Sequence, residues 1–129
     1  MKDDDKIVIN IDMKPVSTNR IWLQNYQTKR TYLNPEYRAF RQYTAIKVGR
    51  MRIPEKWPFC AVKIIVHPKR RIGDADNYTK GILDSLTHAG FWKDDKVVAN
   101  VESGFGAPCS DPWVQIVIER RETKFSDTE

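Results

Sequence analysis

Four stretches of the chain have the hydrophobic pattern of β-strands. Residues 7–13 (IVINIDM) alternate apolar and polar side chains and are rich in β-branched residues, which predicts a half-buried strand. Residues 59–67 (FCAVKIIVH) form an apolar run that is typical of a buried central strand. Two further strands are predicted at residues 96–102 and 113–119, joined by a loop that contains glycine, proline and serine.

Two helices are predicted between these strands. Asn34, Pro35 and Glu36 form a helix start, with an N-cap, a proline at the first position and an acid in the first turn. That helix is expected to continue to residue 48, ahead of a glycine. The second helix is predicted at about residues 77–89, and Gly90 ends it.

The second helix has one apolar and one polar face. At 100° per residue, the apolar side chains share one arc, which predicts the buried side: Tyr78, Ile82, Leu83, Leu86 and Ala89. The opposite arc is polar and is expected to face solvent: Asp76, Asn77, Lys80, Asp84 and Thr87. The charged residues of this helix are therefore predicted to lie together on one exposed face.

The element order predicts a small α+β domain. Residues 14–33 are rich in Asn, Thr, Gln and Arg, and we expect a long loop or an irregular hairpin there. The order β-α-β-α-β-β indicates a small mixed sheet with two helices packed on it, a parallel pair joined by the first helix, and a final antiparallel hairpin. Residues 1–129 are predicted to form one domain, with flexible ends at 1–6 and 121–129.

The composition excludes several classes of protein. No apolar stretch approaches the roughly 18 residues of a membrane span, and the opening MKDDDK lacks the character of an export signal. Cys60 and Cys109 are the only cysteines, and the chain has neither a CxxC pair nor a nearby histidine pair, which argues against zinc. A reducing cytoplasm is the expected location, without membrane attachment.

The net charge of +5 is unevenly distributed. Residues 19–56 contain nine basic and two acidic side chains, a net charge of +7, so the rest of the chain carries −2. This separation predicts a polyanion-binding surface beside an acidic site, although a solvated basic surface without a partner is the simpler alternative.

Acidic residues cluster around the second helix. Asp74 and Asp76 precede the helix, and Asp94 and Asp95 follow it, where the chain turns back and one of them can return beside the first pair. Because clustered carboxylates repel each other, they favour a hard divalent cation such as Mg²⁺ or Mn²⁺. Lys80 is expected to neutralise charge on a phosphate. An acidic metal site in a basic protein indicates phosphodiester cleavage in nucleic acid.

These residues also have purely structural interpretations. Asp76 can be an N-cap, although no capping box supports it. Lys80 and Asp84 can form an ordinary i,i+4 ion pair, and Asp94 with Asp95 can form a turn.

Residues 73–98, GDADNYTKGILDSLTHAGFWKDDKVV, resemble the signature of the RusA-type Holliday junction resolvases. Eleven positions match that signature in type and spacing: Asp74, Asp76, Asn77, Lys80, Asp84, Leu86, Ala89, Gly90, Trp92, Asp94 and Asp95. Ser85 stands where the family usually has alanine. Residues 14–20 (KPVSTNR) also resemble the loop that follows the family's first strand, and the resemblance spans about residues 7–120.

The resemblance implies a homodimeric, Mg²⁺-dependent endonuclease of recombination and repair, encoded by a bacterium or a phage. Such an enzyme binds four-way DNA junctions and nicks two strands of like polarity symmetrically. It also implies that Asp74, Asp76 and Asp95 are the essential metal-binding acids, with Asp94 as a further candidate. Lys80 corresponds to the essential lysine, and Mn²⁺ is expected to substitute for Mg²⁺.

The candidate DNA-binding residues are Arg20 in the long loop and the basic triplet Lys69, Arg70 and Arg71. The family often has basic residues directly before its first motif aspartate, whereas Ile72 and Gly73 intervene here. At the dimer interface, an aromatic side chain that the small core does not need is expected: Trp22 or Trp57.

Two other function classes compete with this interpretation. A non-catalytic DNA- or RNA-binding module is expected to have lost a motif acid or Lys80, and neither is lost. A phosphohydrolase acting on small nucleotides is expected to carry a glycine-rich phosphate loop, and neither GxxxxGK[ST] nor GxGxxG occurs in the chain.

Overall fold

The computed structural model describes residues 5–71 and 73–125, which form a four-stranded sheet, a separate two-stranded hairpin and two α-helices. The strands are β1 (Lys6–Ile11), β2 (Trp22–Asn25), β3 (Arg30–Leu33), β4 (Phe59–His67), β5 (Val98–Phe105) and β6 (Trp113–Arg121). The helices are α1 (Pro35–Val48) and α2 (Thr79–His88). The prediction of an α+β fold with a mixed sheet and two helices is confirmed.

The strand order in the main sheet is β1-β6-β4-β5, which differs from the predicted topology. β4 and β5 are parallel and are joined by α2, so the prediction of a parallel pair joined by the first helix is wrong. The predicted final hairpin is also wrong, because β6 pairs antiparallel with β1 and β4 and does not adjoin β5. β6 is thus a central strand, and its alternate residues are completely buried in the core: Val114, Ile116 and Ile118.

One hydrophobic core lies between the sheet and the helices. Its strand residues alternate along β1, β4 and β6, as expected for strands with one covered face. From the helices, the core receives Tyr37, Phe40, Val48, Ile82 and Leu86. Tyr78, Leu83 and Ala89 are half-buried and pack against the same core, so the predicted apolar arc of α2 is confirmed.

The residues predicted to start and end the first helix do so in the structure. The Asn34 side chain accepts a hydrogen bond of 2.9 Å from the Glu36 backbone N–H, Pro35 is the first helical residue, and Gly49 follows the helix at φ 55°. The second helix is preceded by a 3₁₀ turn, Ala75–Tyr78, so its α-helical part begins at Thr79, two residues later than predicted. Gly90, at φ 81°, follows it.

Two predictions outside the sheet have clear outcomes. The irregular hairpin predicted within residues 14–33 is present as a 3₁₀ turn, Thr18–Arg20, followed by β2 and β3. Trp57 is only 4% exposed and belongs to the core, so the prediction that it is available at an interface is wrong, whereas Trp22 is 63% exposed.

Of the predicted flexible ends, residues 1–4 and 126–129 lie outside the described residues. Across the described part of the chain, neither helix has the length and hydropathy of a membrane span.

Candidate active site

The β4-α2-β5 crossover positions the acidic motif. Because β4 and β5 are parallel, α2 runs back along them, so its start lies near the carboxyl ends of these strands and its end lies near their amino ends. A 2.5 Å hydrogen bond between the Thr79 and Ser103 hydroxyl groups joins the start of α2 to the second half of β5. After α2, the chain passes through Asp94 and Asp95, and β5 begins shortly afterwards at Val98.

At the start of α2, two carboxylates are exposed and have no local structural role. Asp74 and Asp76 flank the buried Ala75, and the turn is closed by a 3.1 Å backbone hydrogen bond from Asn77 N to Asp74 O. Neither carboxylate caps a helix, so the N-cap interpretation of Asp76 is not supported. Within residues 5–71 and 73–125, neither side chain has an ion-pair partner.

At the end of α2, the two candidate acids differ from each other. The Asp94 side chain accepts a 2.9 Å hydrogen bond from the Lys96 backbone N–H and caps the 3₁₀ turn Asp95–Val97, as its structural interpretation requires. Asp95 is the first residue of this turn and is exposed. Among the described residues, the Asp95 carboxylate has neither a hydrogen-bond partner nor an ion-pair partner.

A single chain does not bring Asp95 to Asp74 and Asp76. The ten residues of α2 span about 15 Å at 1.5 Å per residue, and the acids lie beyond its two ends. In the described part of the chain, no three His, Cys, Asp or Glu side chains are grouped closely enough to hold a metal ion. Asp74 and Asp76 suit a hard cation chemically, since both are carboxylates without an ion-pair partner among the described residues.

Lys80 lies on the exposed side of the first turn of α2, four residues after Asp76. Its ammonium group is 3.6 Å from the Asp84 carboxylate, which is the i,i+4 pair of the structural interpretation. Both side chains are at least half exposed, so this pair contributes little stability, at most about 0.5 kcal/mol. The ammonium group therefore remains accessible to a phosphate.

The basic candidates reach the same end of α2 by two routes. Lys69, Arg70 and Arg71 follow β4 and are exposed, and the Arg71 guanidinium lies 5.4 Å from the centre of the Phe105 ring, at the end of β5. The loop that contains Arg20 is held by a 2.8 Å hydrogen bond from the Thr18 hydroxyl to the carbonyl of Asn77.

Arg20 lines a surface cavity beside the start of α2. The cavity is also lined by Lys14 and Ser17, which precede Arg20 in the chain, and by Tyr78 of the 3₁₀ turn. The Arg20 guanidinium lies 4.0 Å from Glu36, and both side chains are about two-thirds exposed, so the positive charge is open to solvent. The cavity therefore carries the positive charges of Lys14 and Arg20 and the negative charge of Glu36, and it borders the 3₁₀ turn that contains Asp76.

Tyr37 positions α2 through its hydroxyl group, a role that the hydrophobic pattern of the sequence does not reveal. Its hydroxyl donates a 2.9 Å hydrogen bond to the Gly81 carbonyl and accepts one of 3.3 Å from the Ser85 hydroxyl. Burial raises the pKa of Tyr37 above its usual value, against the opposing effect of the Ser85 hydrogen bond. A side chain at Gly81 would meet the Tyr37 ring at 3.1 Å, so this glycine permits close packing of α1 on α2. The one sequence signal was Gly81, a glycine inside a helical pattern.

Comparisons with known proteins agree with this motif. The family model described as "Endodeoxyribonuclease RusA" matches residues 12–119. The crossover junction endodeoxyribonucleases RusA of Escherichia coli strain K12 and of Enterobacteria phage 82 are each 38% identical to the chain over 89 residues, which cover 67% of this chain and 72% of either relative. The protein of the same name from Shigella sonnei strain Ss046 is 37% identical over the same length.

Proposed function

Since the chain belongs to the RusA endodeoxyribonuclease family, we propose that it cleaves branched DNA, with four-way junctions as its principal substrate. Family membership confirms the expectation of an enzyme that hydrolyses DNA. The observation that carries the proposal is the family match over residues 12–119, which includes both helices and most of the main sheet. We further propose paired symmetric nicks, a role in DNA recombination and repair, and action in the cytoplasm of a bacterial cell.

The proposed cofactor is Mg²⁺, with Mn²⁺ as a substitute. The residues proposed to hold it are Asp74, Asp76 and Asp95, because their carboxylates are exposed and unpaired within the described residues. Asp94 is a weaker ligand candidate, since its carboxylate already caps a turn. A bound Mg²⁺ supplies a water of lowered pKa and stabilises charge on the phosphate oxygens.

The separation of the acids supports a homodimer with shared sites. A twofold axis across the middle of α2 would set the start of one helix beside the end of the other. Asp74 and Asp76 would then meet Asp95 of the partner subunit, and the same axis would generate a second site. Two equivalent sites are what two symmetric nicks require. The 63% exposed Trp22 remains a candidate for the interface.

The basic residues are proposed to hold the DNA backbone. Lys80 would neutralise charge that develops on the phosphate during cleavage, because its exposed ammonium group belongs to the first turn of α2, four residues after Asp76. Arg20, Lys69 and Arg70 would bind neighbouring phosphates, since they reach the same end of α2 from separate segments. Arg71, which contacts the Phe105 ring, would also hold the chain that leads to Asp74.

Cleavage of labelled DNA tests the proposed activity. We expect a four-way junction to be cut in Mg²⁺ and not in EDTA, and duplex and flap DNA of the same sequence to be cut more slowly. The Asp74→Asn protein is the control for contaminating nucleases. Equal cleavage of duplex and junction, or cleavage in EDTA, would contradict the proposal.

Mixed dimers test the shared site. Chains carrying Asp74→Asn and Asp95→Asn are co-produced with different affinity tags, and the heterodimer is isolated. If each site takes acids from both chains, one site of the heterodimer carries both changes and the other carries none, so one strand is nicked. If each site belongs to one chain, both sites are damaged and no nick appears. Light scattering is expected to give about twice the 15.1 kDa chain mass.

A further inference from the structure

The β2-β3 hairpin rises from the same end of α2 as Asp74 and Asp76. Asn34 closes its base with two 2.8 Å hydrogen bonds, from its backbone N–H to the Ile21 carbonyl and from its side chain to the Arg20 carbonyl. Ile21 is buried, and its side chain packs close to Gly81 in the first turn of α2. The base of the hairpin is therefore fixed against the candidate active site.

The tip of the hairpin is an ordered turn. Each strand has four residues and extends about 13 Å at 3.3 Å per residue. The Asn25 side chain accepts hydrogen bonds of 2.9 and 3.1 Å from the backbone N–H groups of Gln27 and Thr28, and Lys29 adopts a left-handed conformation at φ 59°. Within this turn, the side chain of Tyr26 is 85% exposed. The turn holds its backbone in place and presents an aromatic ring to solvent.

The charge and the arrangement of the hairpin fit a nucleic acid. Residues 14–35 contain no acidic side chain, and Lys29 and Arg30 adjoin Tyr26 at the tip. The other exposed aromatic residues, Trp22 and Tyr32, lie on opposite faces of the ribbon, because Trp22 pairs with Leu33 and Tyr32 pairs with Leu23. The tip of the hairpin, where Tyr26 lies among polar and basic side chains, therefore lacks the continuous apolar patch that a protein interface buries at its centre.

We propose that the β2-β3 hairpin recognises the branch point of the DNA, with Tyr26 stacked on a base that is unstacked there. This inference rests on the proposed cleavage of branched DNA and adds the element that selects the branch. Lys29 and Arg30 would bind the flanking phosphates. A continuous duplex has no exposed base face, so Tyr26 contributes affinity for a junction and little for a duplex.

Binding of Tyr26 variants to junction and duplex tests this inference. Fluorescence anisotropy is measured without divalent metal, so that no DNA is cut, and 2-aminopurine at the branch point reports base stacking. Tyr26→Ala is expected to weaken junction binding about tenfold, the equivalent of one lost base–aromatic stack, and to change duplex binding by less than about twofold. Tyr26→Phe keeps the ring and is expected to bind as the wild type does.

Phe125→Ala is the matched control. Phe125 is 74% exposed and follows β6, whose last residue pairs with the first residue of β4, at the end of these strands opposite to the start of α2. Its removal is expected to leave both affinities unchanged. Because Tyr26 and Phe125 are both highly exposed, neither change is expected to alter folding.

The outcomes separate this inference from the proposed function. If the wild type cuts junctions but Tyr26→Ala binds them equally well, or loses junction and duplex affinity alike, the hairpin does not recognise the branch. If Tyr26→Ala halves the mass measured by light scattering, the tip belongs to a protein interface and the inference is wrong. If the wild type neither binds nor cuts junctions, the proposed function fails and this inference fails with it.

Discussion

The two ends of α2 belong to one continuous motif, but they differ in the burial of the residues that adjoin the helix. At its start, Asp74 and Asp76 are exposed and unpaired among the described residues. At its end, Phe91 and Trp92 are 0% and 2% exposed, and their rings meet edge to face at 5.3 Å. The Trp92 indole N–H also donates a 2.6 Å hydrogen bond to Thr87.

This difference separates residues that hold the fold together from residues that do not. Burial of two aromatic side chains stabilises the end of α2 by several kcal/mol. Among the described residues, the exposed carboxylates at the start make no ion pair that stabilises the chain. The family motif includes Asp74, Asp76 and Trp92 alike, whereas the structure distinguishes the exposed acids from the buried indole. The following predictions test that distinction.

The largest expected effect is the loss of cleavage on Asp74→Asn or Asp76→Asn. Each change should lower the cleavage rate by roughly 10³-fold or more, since a charged group at the reacting phosphate contributes more than one neutral donor. Stability should change by less than about 0.5 kcal/mol, because both positions are exposed. Single-turnover cleavage and urea denaturation measure the two effects, and Asp84→Asn is the matched control. Near-wild-type cleavage by either variant would remove that residue from the site.

At the other end, Trp92→Ala is expected to cost about 3–5 kcal/mol of unfolding free energy, as for other buried aromatic residues. Cleavage should fall only as far as the protein unfolds under the assay conditions. Phe125→Ala is the control, since this side chain is 74% exposed and should change stability by less than about 0.5 kcal/mol. Equal destabilisation by the two changes would contradict the contrast between buried and exposed aromatic residues.

Lys80→Ala is expected to reduce cleavage by roughly 10²-fold without loss of stability or of Mn²⁺ affinity. The lysine is proposed to act on the phosphate, so metal binding measured by electron paramagnetic resonance should not change. Asp84→Asn breaks the same ion pair but keeps the lysine, and it should remain active. A loss of Mn²⁺ affinity as large as that of Asp76→Asn would assign Lys80 to the support of the metal site.

The smallest expected effect is a loss of stability at high pH. Cys60 is opposite the first residue of β5 and fully buried, and burial raises its pKa from 9.0 to about 11. Below pH 9 the folded and unfolded chains both keep this proton, and above it the unfolded chain loses the proton first. Stability should therefore fall between pH 9 and 11, by about 2 kcal/mol from this group.

Urea denaturation across this pH range measures the decline, and Cys60→Ala should make it shallower. An unchanged slope in that variant would show that the thiol does not titrate differently in the two states.

Local signals in the sequence predicted the elements well. The Asn34 cap, the glycine after α1 and the apolar arc of α2 depend on neighbouring residues, and each was found as predicted. The pairing of strands was predicted poorly, since β6 is inserted between β1 and β4, and no local pattern specifies a partner that is distant in sequence. The burial of Trp57 was missed for the same reason, because its core contacts come from other segments.

The sequence by itself determined the family and the identity of the candidate residues, because the type and spacing of side chains in residues 73–98 are properties of the chain alone. Only the tertiary structure decided where those side chains lie. A helix between two parallel strands must return along the sheet, so Asp76 and Asp95 lie beyond opposite ends of a helix about 15 Å long although both flank it. The tertiary structure likewise brings the hairpin to the start of α2, since Asn34, Ile21 and Gly81 meet only in the folded chain.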